Sequence, residues 1–302
     1  MPQINDWKSK ISVVSFILFG LLALFAVERT IHSLTDGFTI SRITPEKNKL
    51  QLIPSEAETP PDLQKIFDQK FHYMNCGSEV YVFQSEDQNY VLKFIKQHRY
   101  QMPLFFNLLP LPKSLKKIRN TRQTKKNQAL LRIQQSCVLS STVFKEDTGV
   151  IYTHIEPTDH LKSVVKIIDR SHIEHSINLD KAQFVLQRKA ESTAGKFLKF
   201  RSNEEHEKAK QAFDELLSLS EKRSLLGYYD KDPDLINNFG FIGTKPIEID
   251  TAGFSPYSHK DPRRFYYKEI HKIKGKALPW FEKNYPEIAD YVNVQLNSLI
   301  ET

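Results

Sequence analysis

The sequence predicts a mixed α+β chain in which one transmembrane helix precedes a small antiparallel β lobe and a helical lobe. Three observations carry this expectation: an uncharged apolar run from Ile11 to Val27, β-rich segments bounded by turn residues between Phe71 and Ile155, and helical apolar spacing after Pro157. A length of 302 residues suits two lobes of about 150 residues each. With 40% apolar and 26% charged residues the chain can bury a core, and 10 Gly and 15 Pro exclude a collagen-like or low-complexity protein. Cys76 and Cys137 make no disulfide framework and lack zinc-site spacing.

The run from Ile11 to Val27 is close to the ~17 to 25 residues that cross a bilayer as a helix. Trp7, Lys8 and Lys10 before it and Glu28, Arg29 and His32 after it form polar margins with an interfacial aromatic. Residues 1–32 therefore read as an uncleaved single-pass anchor. A cleaved signal peptide is the rival, although the run exceeds the ~7 to 15 residues of a signal core and no small-x-small site follows it. Lysines and arginines flank both ends, so the side of the membrane occupied by the remaining chain is left open. Residues 33–61, with Pro45, Pro54, Pro60 and Pro61 in a polar stretch, read as a linker.

The β lobe is expected over 62–157. Val80 to Gln84 and Tyr90 to Ile95, joined by Ser85-Glu86-Asp87-Gln88-Asn89, predict a hairpin; alternation places Tyr90, Leu92 and Phe94 on one face and Val91, Lys93 and Ile95 on the other. A basic helix over about Ser114 to Gln135 and a second β pair, Val138 to Lys145 with Gly149 to Ile155, follow. From Gln88 to Lys145 there is no Asp or Glu, whereas the chain as a whole has 43 Lys+Arg against 36 Asp+Glu. This 88–145 block, with the proline-bounded apolar segment Met102 to Pro112 inside it, suits an anionic lipid surface or a solvated helix face. The helical lobe is expected over 158–302, with helices at His160 to Ile168, Leu179 to Ala190 and Glu204 to Leu225, then short strands at Phe239 to Ile242 and Ile247 to Ile249.

Chemistry-bearing residues gather in two places. Lys93 stands between apolar neighbours on a strand, and Asp230-Lys231-Asp232, Asn237 and Asp250 follow the last long helix. In this order and spacing the chain resembles the protein-kinase-like fold, over about Phe71 to Phe254. Val91-Leu92-Lys93-Phe94 resembles the strand with the phosphate-binding lysine. Asp230-Lys231-Asp232 stands where the family has His-Arg-Asp; Asn237 follows Asp232 by five positions and Asp250 by 18. The resemblance implies Asp232 as catalytic carboxylate, Lys93, Gly77 and Asn237 as nucleotide-binding residues, Asn237 and Asp250 as metal ligands, and Mg²⁺ with ATP as cofactors if the domain is active. Asn238, which adjoins the strand, is the rival of Asn237.

The chain departs from the family where Tyr73 to Val80 contains one glycine, where no acid lies between Lys93 and Glu146 to pair with the lysine, and where Asp-Phe-Gly is replaced by Asp250-Thr251-Ala252-Gly253. About fifty residues follow Asp250, too few for the usual platform that grips a protein substrate. Two readings stay close: a phosphotransferase acting on a small or lipid-like substrate, or a catalytically silent, pseudokinase-like binding module at a membrane with no cofactor. A basic membrane-surface or nucleic-acid binder of another fold ranks behind them, because no nucleic-acid module accompanies the lysines and nucleic acid is an unlikely partner. Neither H-E-x-x-H, G-x-S-x-G nor a P-loop is present.

Overall fold

The computed structural model describes residues 3–45, 60–102, 112–257 and 262–301. Within it the chain is α+β and opens on an apolar helix, α1 (Gln3–Thr35). At ~1.5 Å per residue α1 is about 50 Å long, more than the ~30 Å hydrocarbon core of a bilayer. Its apolar side chains, such as Phe16 and Phe19, are exposed, and none of the span Val14–Thr35 is buried inside the protein. One helix is thus long and apolar enough to cross a membrane. Trp7, Lys8 and Lys10, expected to bound the span, have side chains outside the described ones.

The stretch read as a linker is only partly accessible to view, since 46–59 lie outside the described residues. The part that follows α1 is docked rather than free. Phe38 and Ile43, the latter in the short helix α2 (Ile40–Ile43), are buried, and with Leu63, Ile66 and Phe67 of α3 (Leu63–Phe67) they join the core on one face of the sheet. Burying two such apolar side chains contributes about 3 to 6 kcal/mol. Gly37 makes the sharp exit from α1 possible: its φ is +69°, and a Cβ there would lie 2.2 Å from the Arg42 guanidinium.

Seven strands form the main sheet: β1 (Lys70–Cys76), β2 (Val80–Ser85), β3 (Tyr90–Ile95), β4 (Val150–His154), β5 (Val164–Ile168), β6 (Glu174–Asn178) and β7 (Phe184–Arg188). Their order is β4-β7-β3-β2-β1-β5-β6, antiparallel except for the β1–β5 pair. The β2–β3 hairpin lies where alternation predicts it, with Tyr81, Phe83, Leu92 and Phe94 in one core and Lys93 on the opposite face.

Other expectations give way to pairing. The helices expected at His160 to Ile168 and Leu179 to Ala190 are largely β5 and β7, so the sheet continues well past residue 157. Val-Val-Lys-Ile-Ile and Phe-Val-Leu-Gln-Arg are short apolar runs of either period, and unpaired edges of β1 and β3 decide for strand. Conversely, the strand expected from Val138 belongs to α4 (Lys113–Ser141), which packs Ile133 and Cys137 against Ile95, Val150 and Val185 on the sheet's second face. β4 pairs with β7 instead, and α5 (Lys145–Thr148) turns the chain into it. The apolar segment at 103–111 lies outside the described residues.

After β8 (Glu191–Ser192) come α6 (Thr193–Ser202) and α7 (His206–Leu225), then β9 (Tyr228–Asp230), β10 (Phe239–Ile242), β11 (Lys245–Glu248) and β12 (Phe254–Pro256), and finally α8 (Pro262–Asn284) and α9 (Ala289–Glu301). The Ala209, Phe213, Leu216, Leu217 stripe of α7 meets Phe239, Phe241, Ile270, Phe281 and Leu296 in a second core. A cleft lies between the sheet face that carries Val82 and Lys93 and the segment that holds Asn238 and Asp250.

Candidate functional site

Lys93 lies at the back of that cleft because β3 alternates. Leu92 and Phe94 must enter the apolar core, so Lys93 points the other way, opposite Val82 and Val185 in register. Its ammonium donates to the Ile249 carbonyl and lies near Asp250 and Cys137. Burial lowers its pKa, and the Asp250 charge partly offsets this.

The cleft, about 350 Å³, has the β1–β2 turn as its roof, with Gly77, Ser78 and Val80. A register shift between Tyr73 and Asn75 bends β1 beside it, as bulges do near sites. Val82 and Val91 form an apolar wall, and the β7–β8 connection Gln187 to Ala190 closes one end. Gln187 is buried; its Nε2 donates to the Thr148 carbonyl at 2.6 Å, while its Oε1 has no partner among the described residues.

The floor comes from the segment between β9 and β12. Asn238 ties it together: its backbone carbonyl accepts from Ile249 N (2.8 Å) and Asp250 N (3.2 Å), and its Nδ2 donates to the Asp232 carbonyl at 2.7 Å. Asp250 is exposed, with Oδ1 capping Ala252 N at 3.1 Å. Ser136 of α4 holds the same loop, donating to the Thr251 carbonyl (2.5 Å) and accepting from Phe254 N (2.8 Å).

Lys93, Gly77, Asn237, Asn238 and Asp250 therefore line one cleft. Asn237 directs its amide to Asp234 Oδ2 at 3.0 Å, so part of its bonding capacity serves the turn. Asp232 does not line the cleft with them. Its carboxylate is exposed and pairs with Lys276 of α8, and only its backbone carbonyl reaches the floor, through Asn238. The acid missing from α4 is replaced in space by Cys137, whose thiol burial pushes up to about 12. Among the described residues no cluster of three His, Cys, Asp or Glu could hold a metal ion.

Sequence reasoning missed the support beneath the floor. Arg223 of α7, buried, donates to Glu248 and, at 2.7 Å, to Glu269 Oε1, which also accepts from Asp230 N at 2.9 Å. Burial raises the pKa of all three carboxyls, with Arg223 acting against it. Asp230 then touches Gly253: a Cβ there would lie 1.9 Å from its Oδ1. Amphipathic spacing of α7 placed Arg223 on no particular partner, and Glu248 and Glu269 are 25 and 46 residues away from it.

No family model and no curated protein matches the chain. Among solved structures it is similar to the complex of Rv3197 with erythromycin from Mycobacterium tuberculosis, at a TM-score of 0.33 and 12% identity, over 84% of this chain and 66% of that one.

Proposed function

We propose that the chain is a membrane-tethered, bilobal kinase-like domain whose cleft binds a nucleotide with Mg²⁺ and that transfers phosphate to a small or lipid-like substrate. The carrying observation is the convergence of Lys93, Asp250, Asn238 and the β1–β2 turn on one cleft with an apolar wall. Such a donor set suits Mg²⁺, which takes one or two protein oxygens and fills its octahedron with phosphates and water. Gln187 Oε1, without a partner among the described residues, and the backbone of Arg188 to Ala190 suit the polar edge of a base, with Val82 and Val91 against its face.

In this reading Lys93 neutralises phosphate charge, exchanging the Ile249 carbonyl for a phosphate oxygen. Asp250 and the amide oxygen of Asn237 or its rival Asn238 would hold the metal, since each asparagine commits its Nδ2, to Asp234 and to the Asp232 carbonyl. Bound Mg²⁺ would supply charge stabilisation of the transferring phosphoryl group. Asp232 accepts the proton of the attacking hydroxyl, for which it must loosen from Lys276.

A second reading rests on that same pairing and on Cys137. With Asp232 engaged by Lys276 and Cys137, rather than an acid, reaching Lys93 from α4, the domain binds a nucleotide or a partner without transfer. Thermal shifts of the full chain in detergent decide between them. Saturating Mg²⁺-nucleotide at about a hundredfold excess over Kd should stabilise it by ~2.7 kcal/mol, and Lys93→Ala and Asp250→Ala should abolish the shift. A shift without loss of the terminal phosphate favours the silent module. No shift with any nucleotide overturns the transfer reading and leaves the silent module, binding a partner other than a nucleotide.

A further inference from the structure

A second cavity, of about 350 Å³, lies where α1 meets the sheet. It is lined by His32, Arg42, Lys96, His98 and Arg99 together with Asp36, Tyr81 and Cys76. The cations here donate to neutral groups. Lys96 is 7% exposed and directs its ammonium to the Cys76 sulfur (2.9 Å) and the Gly77 carbonyl (2.5 Å), 4.6 Å from the centre of the Tyr81 ring. Arg42 donates to the Gly37 carbonyl at 2.7 Å and Arg99 to the Ser78 carbonyl.

Acidic balance is short. Asp36, the carboxylate of the lining among the described residues, is already bound by Arg170 at 2.5 Å and by the Tyr73 hydroxyl. Glu79 reaches Arg99 at 3.7 Å but also accepts from Tyr100. His98 reports the excess: burial and then the Arg42, Lys96 and Arg99 charges lower its pKa against a backbone hydrogen bond at Arg42, and its Nδ1 has no partner among the described residues. Cations crowded this way repel one another by more than exposed ones would, so a bound anion relieves the site.

Position supplies the class of anion. His32 is five residues beyond Val27, the end of the uncharged apolar run, or about 7.5 Å along the helix. The headgroup layer of a bilayer is about 5 to 7.5 Å deep on each side. We propose that this pocket binds the phosphate headgroup of a lipid in the leaflet that α1 leaves. The inference rests on α1 crossing a bilayer and is independent of the nucleotide reading. The docked segment Asp36 to Ile43 keeps the pocket at that depth, since Tyr81 also donates to the Gly37 carbonyl at 2.9 Å.

The test uses the full chain in nanodiscs of phosphatidylcholine, with or without phosphatidic acid, and follows Tm. Phosphatidic acid should raise Tm by several degrees, and both Arg99→Gln and Lys96→Met should remove the rise. Lys116→Gln with Lys117→Gln, on the exposed basic face of α4, should leave it intact. Arg99 is half-exposed, so R99Q retains a folded reference in phosphatidylcholine should K96M fail to fold. A rise that the α4 variant removes equally, or no rise, overturns the pocket. A rise produced equally by inorganic phosphate in phosphatidylcholine discs overturns the lipid as source. Extraction of the full chain from phosphatidylcholine vesicles by alkaline carbonate would separately overturn the bilayer premise.

Discussion

Removing Arg223 should cost far more than an ordinary surface arginine, and the cost should grow with pH. In Arg223→Met the aliphatic volume stays, whereas Glu248, Glu269 and Asp230 lose the cation placed among them in this buried network. Breaking a buried pair from one side costs about 3 to 5 kcal/mol. The sign of the pH dependence follows from the carboxyls. Burial already raises the pKa of Glu248, Glu269 and Asp230, and Arg223 is the group that opposes it, so its loss raises them further. An acid whose folded pKa lies above its unfolded value holds its proton more tightly in the fold, and stability falls as pH rises above the unfolded pKa. Each stranded carboxyl then costs about 1.4 kcal/mol per pH unit until its folded pKa is passed. Urea unfolding of the full chain in detergent at pH 5.5 and 7.5 measures both effects. At a urea m-value of about 3 kcal/mol/M, the variant's midpoint should fall by about 1 M or more at pH 7.5 and by less at pH 5.5. Glu248→Gln added to Arg223→Met should recover part of the loss at the higher pH. A midpoint shift under about 0.3 M, or one equal at the two pH values, would refute the reasoning.

Four further outcomes are expected. Gly253→Ala should destabilise the chain and abolish nucleotide-dependent thermal shifts, because its Cβ meets Asp230 Oδ1 at 1.9 Å; wild-type shifts in this variant would show that the floor loop is not shaped by that contact. Phe38→Ala should cost about 3 to 5 kcal/mol by emptying a site between Tyr81 and Phe83, read by urea midpoint, whereas a change below ~1 kcal/mol would mean that the segment after α1 is not docked. Asp232→Asn should lower phosphate transfer by about 10² to 10⁴-fold while nucleotide binding persists, and an unchanged rate would remove Asp232 from the chemistry. Asp180, buried, resists that burial by accepting from Thr158 (2.6 Å), Leu161 N (3.1 Å) and Lys162 N (2.9 Å), which hold its pKa below the usual range. Its contribution is therefore present above about pH 4 and lost as pH falls through the folded pKa, so Asp180→Asn should cost about 2 kcal/mol at pH 7 and the gap to wild type should close in acid.

Parts of the candidate site were legible before any fold was known. The resemblance implies Lys93, Gly77, Asn237 and Asp250 as site residues, and these four line a common cleft. Asp232 was chosen by the same spacing, yet its carboxylate turns to Lys276, a residue from a helix 44 positions later. Asn237 and Asn238 each donate through Nδ2, to Asp234 and to the Asp232 carbonyl, and spacing alone does not reveal these partners. Gln187 and the Arg223 network carry no motif; they matter only because distant segments enclose them.

The same division runs through the fold. Sequence alone determined what is local: the apolar helix α1, the β2–β3 hairpin with Lys93 on the face opposite Leu92 and Phe94, and the stripe of α7 that builds the second core. These follow from period and turn chemistry within a few residues. Tertiary structure decided whether Val164–Ile168 and Phe184–Arg188 are strands, how far α4 runs, that Asp36 to Ile43 is packed against the sheet, and which groups face Arg223. A short apolar run can satisfy either period, and a buried charge can take any partner of opposite sign. The choice belongs to whichever segment, often a hundred residues away, completes the hydrogen bonds and closes the core.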